Sequence, residues 1–144
     1  MFSPQLLDHF QNPRNAGEVA APHASVEREN PACGDVLRIS LRREGERIAE
    51  IRFLAQGCVA TVACASALTE LVQGKSLAEA QLVRREDVVR AVGGLRPEST
   101  HASPPISSET AVAVKRSVSG TQFSRSHAKQ TRVILRTSVV AGSF

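Results

Sequence analysis

Cys33, Asp35 and Cys58 are the residues of this sequence whose types and placement could carry chemistry. Two thiolates and a carboxylate are ordinary ligands of zinc and iron. Cys58 follows Gly57 at the predicted start of a helix, where the dipole and unpaired N–H groups favour the thiolate form. Gly34 lets the backbone turn, so that Cys33 and Asp35 can face one centre. Crowded together, the three negative groups would repel one another without a cation. Residue types alone leave two readings level. One is a metal site; the other is a turn cysteine, a strand-end aspartate and a buried helix-start thiol that merely lie close. A Cys33–Cys58 disulfide is a minor third alternative. Cys64 is a separate case, because six residues along one helix is roughly 240° of rotation. It points away from Cys58 and reads as a small core residue.

What brings residues 25 positions apart together is a predicted β-hairpin. Leu37, Ile39 and Leu41 alternate with Arg38, Ser40 and Arg42, and Ala49, Ile51 and Phe53 alternate with Glu50 and Arg52. Such alternation marks an antiparallel sheet with one buried face. With a turn centred on Glu44-Gly45-Glu46, opposed residues have numbers summing to about 90. Asp35 then faces Ala55 and Cys33 faces Gly57, next to Cys58.

The remaining elements frame that hairpin. Ser3-Pro4 starts a helix, with Leu6, Leu7 and Phe10 on one face and Asn12-Pro13 at its end. Residues 14–31 read as loop, with room for a short strand near Val26. The helix opened by Cys58 runs to about Gln73 and stops at Gly74. It is small and apolar nearly all round, with Glu70 its only charge, which places it deep in the domain. Ser76-Leu77-Ala78-Glu79 is a capping box, a further helical stretch ends at Gly93-Gly94, and a last one spans about 107–118 after Pro104-Pro105. The pattern is α+β: a small antiparallel three-stranded sheet with helices packed on it. The expected division is a domain over residues 1–118 and a basic Ser/Arg-rich tail over 119–144, the latter disordered.

Composition narrows the function classes. Apolar residues make up 42% of the 144, enough for a core, but aromatics only 3%, with no Trp or Tyr. No run approaches the roughly 18 apolar residues of a membrane span. The N-terminus lacks a secretion-signal pattern, so a cytoplasmic location is expected and free thiols or metal thiolates are favoured over disulfides. The net charge of +4 is uneven. All 14 acidic residues lie within residues 1–109, whereas Lys115, Arg116, Arg125, Lys129, Arg132 and Arg136 follow with no acid. A solvated tail, without the aromatic platforms of a nucleic-acid binder, fits that distribution.

The stretches LLDHFQNPRNAG (6–17), NPACGD (30–35), FLAQGCVATVACASALTEL (53–71) and GKSLAEA (74–80) make the chain similar to the IscU/NifU N-terminal scaffold family over residues 3–103. The resemblance implies a non-enzymatic scaffold or carrier that holds iron or a [2Fe–2S] cluster, works beside a cysteine desulfurase and passes clusters to apo-proteins. It maps Cys33, Asp35 and Cys58 onto the family's first cysteine, aspartate and second cysteine. His101 matches the histidine before the third cysteine, where this chain has Ala102. The family's third cysteine is implicated in accepting persulfide sulfur. Two cysteines, Asp35 and His101 could instead close a tetrahedral zinc site. A zinc-dependent sulfur acceptor, or an adaptor that has lost assembly activity, are therefore the competing expectations. Leu95-Arg96-Pro97-Glu98-Ser99 replaces the family's Leu-Pro-Pro-Val-Lys, which removes the ground for an Hsp70-type chaperone partner. A homodimer is compatible with the resemblance; nucleic acid and membrane are not expected partners.

Overall fold

The computed structural model describes residues 2–29, 34–97 and 131–133. Helix α1 (Pro4–Gln11) is followed by β1 (Ala24–Glu29), β2 (Val36–Glu44), β3 (Arg47–Gln56), α2 (Val59–Val72), α3 (Leu77–Leu82), α4 (Arg85–Ala91) and β4 (Thr131–Val133). The strands form one antiparallel sheet in the order β3-β2-β1-β4. The three expected strands are therefore joined by a fourth, which pairs Arg28, Glu27 and Val26 with Thr131, Arg132 and Val133. Those three residues fall within the expected tail; the rest of 119–144, Pro104-Pro105 and the helix expected over 107–118 lie outside the described residues.

The hairpin forms, with a corrected register. Gly45-Glu46 is its two-residue turn, Gly45 taking the positive φ of 58° that a side chain resists. From there Glu44 pairs with Arg47 and Arg43 with Ile48, but Arg42 pairs with Glu50. Ala49 is the extra residue of a bulge, which advances every later pair by one. Leu37 thus faces Ala55 and Val36 faces Gln56. One step further, Asp35 comes to Gly57 rather than Ala55. The difference of two has two sources: the turn at Gly45-Glu46 makes the first opposed numbers sum to 91 rather than 90, and the bulge, which leaves the alternation of Ile51 and Phe53 untouched, adds one more.

Leu37, Ile39, Leu41, Ile51 and Phe53 face α2, whose Ala63, Ala67, Leu68 and Val72 fill the core against them. Ten of the fourteen residues of α2 are buried, as its lack of a polar face requires. Small side chains let it lie close to the sheet, and Leu6, Leu77, Val88 and Val92 close the core from the other helices. The opposite sheet face carries the charges, with Arg38 bridging Glu27 and Glu18, and Glu50 between Arg42 and Arg52.

The segment after α1 is a clamp. Asn15, with φ 59°, turns the chain, a conformation Asn tolerates. Ala16 then bridges Phe53 in parallel, through bonds from Phe53 N to Asn15 O and from Gly17 N to Phe53 O. Ser66 Oγ accepts the Arg14 N–H at 2.8 Å and lies 2.9 Å from His9 Nδ1. Ser3 caps α1 by accepting the Leu6 N–H and donates its hydroxyl to the Val92 carbonyl at the end of α4. The capping box at Ser76 and Glu79 is present. No helix among the described residues is long and apolar enough to cross a membrane.

Candidate metal site at the start of helix α2

Strand β3 ends at Gln56, and one glycine later the chain enters α2 with Cys58 as N-cap, in extended conformation at φ −74° and ψ 167°. An N-cap side chain ordinarily accepts a hydrogen bond from the first turn. The Cys58 thiol does not. It is exposed, it is free, and it lies 3.3 Å from Thr61 Oγ1. Thr61 Oγ1 in turn donates to Asp35 Oδ2 at 2.5 Å. One hydroxyl oxygen therefore stands between the thiol of one strand–helix junction and the carboxylate leading into β2.

Gly57 makes that approach feasible. A Cβ at this position would lie 2.6 Å from Asp35 Cγ and 2.9 Å from Asp35 Cβ, distances that real Cβ atoms do not show. Asp35 lies across the space that any side chain at 57 would need. The glycine is required by contact with the carboxylate rather than by its own backbone angles.

Cys64 is in the core, as expected. It has no exposed surface, and burial, with the charge of Cys58 adding to it and Arg85 opposing, pushes its thiol up to about 12. A thiol held protonated and enclosed by apolar groups is inert. Cys33 and His101 lie outside the described residues. Of the four expected ligands, the structure thus brings Asp35 and Cys58 together through Thr61. Among the described residues no group of three or more His, Cys, Asp and Glu side chains could hold a metal. The donor set that is described, a thiol and a carboxylate, is one that zinc and iron both accept.

Sequence reasoning missed Thr61. It sits at the third position of an apolar helix, where a threonine reads as packing. The available signal was its spacing: three residues after an N-cap, a side chain returns to the face of the cap.

The profile of the family described as "NifU-like N terminal domain" matches residues 1–120. The chain belongs to this family. It is 39% identical over 103 residues to the iron–sulfur cluster assembly scaffold protein IscU 1 of Archaeoglobus fulgidus, covering 72% of this chain and 67% of that one. It is 43% identical over 104 residues to the bifunctional protein NifU/MnmA of Rubrobacter xylanophilus, which covers 71% of this chain but only 21% of the longer protein. The crystal structure of a nitrogen-fixing NifU-like protein (N-terminal) from Brucella abortus superposes with a TM-score of 0.66 over 83% of this chain and 95% of that one. At 16% identity that likeness speaks for the fold. The NifU-like fold and the α+β reading of the sequence agree. A groove lies elsewhere, between α2, α3 and α4, lined by Leu71, Leu82, Val83 and Ala91 together with charged Lys75, Glu79, Asp87 and Arg90.

Proposed function

We propose that this chain is an iron–sulfur cluster assembly scaffold, which takes up iron or a [2Fe–2S] cluster at Cys58 and Asp35 and hands it to apo-proteins. The observation that carries the reading is the exposed Cys58 thiol, linked through Thr61 to Asp35, in a chain of the NifU-like family. Cys33 and His101 are proposed to complete the donor set. An ordinary [2Fe–2S] cluster takes four thiolates, and histidines can replace two of them. Two cysteines with Asp35 and His101 give mixed oxygen, nitrogen and sulfur ligation. Such a cluster is held less tightly than one with four thiolates, which suits cargo that must leave. The exposure of Cys58 serves the same end, since an acceptor protein must reach the bound metal.

In this reading the chain is not an enzyme: it binds and passes on iron and sulfide that are its cargo. A cysteine desulfurase is the proposed sulfur source and the cytoplasm the proposed location. A second reading is favoured by Ala102, which follows His101 where the family has its third cysteine. Cys33, Asp35, Cys58 and His101 match the four-ligand count of tetrahedral zinc. Zinc would then keep one thiolate poised to accept sulfur.

The experiment is anaerobic reconstitution of the full chain with iron and sulfide beside a zinc-loaded sample, read by visible spectrum, metal content and transfer to an apo-ferredoxin. A coloured species that depends on Cys58 and is lost to the acceptor is expected. One tightly bound zinc per chain with no cluster would move the assignment to the sulfur acceptor. Neither metal nor sulfur bound, with desulfurase binding retained, would leave only an adaptor.

A further inference from the structure

Thr61 is 4% exposed, and its hydroxyl is the only polar group its side chain brings into the first turn of α2. A buried hydroxyl without a partner is costly, and Val would fill the same volume between Ala60 and Val62 with no such cost. The hydroxyl is satisfied by the two groups already described, Asp35 Oδ2 at 2.5 Å and Cys58 Sγ at 3.3 Å. It has one proton to give. That proton goes to Asp35 Oδ2, and Cys58 Sγ lies beside the same hydroxyl oxygen of Thr61.

We propose that Thr61 is a positioning residue for metal capture: from α2 it fixes the Asp35 carboxylate beside Cys58, so that both meet the same ion. The inference rests on the metal-binding reading above and adds to it a residue that is not itself a ligand. Asp35 enters β2 directly after Gly34, which has a φ of +72°, and the Thr61 hydroxyl reaches its carboxylate from α2. Hydrogen bonds from such non-ligating partners set the orientation of metal-binding carboxylates, and their loss costs about 10–100-fold in affinity.

The test is an anaerobic cobalt(II) titration of the full chain as wild type, Thr61→Val, Thr61→Ser and Cys58→Ser, with melting of each metal-free protein as the folding control. Cobalt reports its ligands directly, through a thiolate charge-transfer band and through d–d bands sensitive to geometry. Thr61→Val is expected to keep the charge-transfer band, alter the d–d bands and bind about tenfold or more weakly. Thr61→Ser is expected to restore both affinity and bands. Wild-type affinity and bands in Thr61→Val would overturn the proposal. So would Thr61→Ser behaving as Thr61→Val, because the methyl group and not the hydroxyl would then be responsible. If the wild type binds no cobalt, or Cys58→Ser keeps the charge-transfer band, the metal-binding reading fails, and Thr61 with it.

Discussion

Helix α2 carries two clusters of polar groups that differ in how they end. At its start, Cys58, Thr61 and Asp35 form a chain whose last member is an exposed thiol. Two turns on, Ser66 and Thr69 meet the segment after α1 in a closed set. Ser66 Oγ accepts the Arg14 N–H and pairs with His9 Nδ1, and Thr69 Oγ1 accepts from the Asn15 amide and reaches the Ser66 and Arg14 carbonyls. Ser66 and Thr69 have no exposed surface. The two cysteines follow the same division, Cys58 exposed and Cys64 enclosed. A polar side chain in a helix this apolar is either spent on holding the fold or left available at its end. Burial, more than residue type, separates the two roles.

The sharpest contrast lies between the thiols. Reactivity follows the thiolate fraction and access, and a thiol pushed from 9.0 to about 12 has roughly a thousandth of the thiolate of an ordinary one at neutral pH. Iodoacetamide on the native protein, mapped by mass spectrometry, should label Cys58 within minutes and Cys64 only after denaturation. Equal labelling of both in the native state would erase the distinction.

Next in size is the closed cluster. Ser66→Ala removes the partner of the half-buried Arg14 N–H and of buried His9, a loss worth about 1–3 kcal/mol. Urea unfolding should show that loss while metal binding is kept. If metal binding fell in proportion to stability, the two clusters would not be independent.

The smallest effect is one of pH. Burial holds His9 below its ordinary value, with Arg14 adding to that and Glu70 and Asp8 opposing. The unfolded chain then takes up a proton at higher pH than the folded one, so stability is fully present above about 6.5 and falls as pH drops through the folded value. Melting temperature measured from pH 7.5 downwards should decline below about 6.5, and His9→Gln should flatten that decline. An unchanged slope in the variant would assign the decline to other groups.

Much of this was legible in the residues. The hairpin followed from the alternation of Leu37, Ile39 and Leu41 with charged neighbours, and α2 from its unbroken apolar run. Of the residues singled out on chemistry, Asp35 and Cys58 meet through Thr61, and Cys33 lies outside the described residues. The register was not legible, because the turn falls at Gly45-Glu46 rather than centring on Gly45, and the Ala49 bulge adds a further residue without disturbing the flanking pattern. Strand β4 was missed for a different reason. Three residues held by backbone pairing to the edge of β1 need no hydrophobic signature, and Thr131-Arg132-Val133 has none. The role of Thr61 depends on Asp35 arriving from another strand, and a single helix cannot reveal that.

The central claim is that metal is held at the start of α2 and not within it. The most direct measurement compares the iron and zinc content of wild type, Cys58→Ser and Cys64→Ala, each loaded anaerobically and desalted. The account predicts metal in the wild type and in Cys64→Ala, and its loss in Cys58→Ser. Metal retained in full by Cys58→Ser would contradict it.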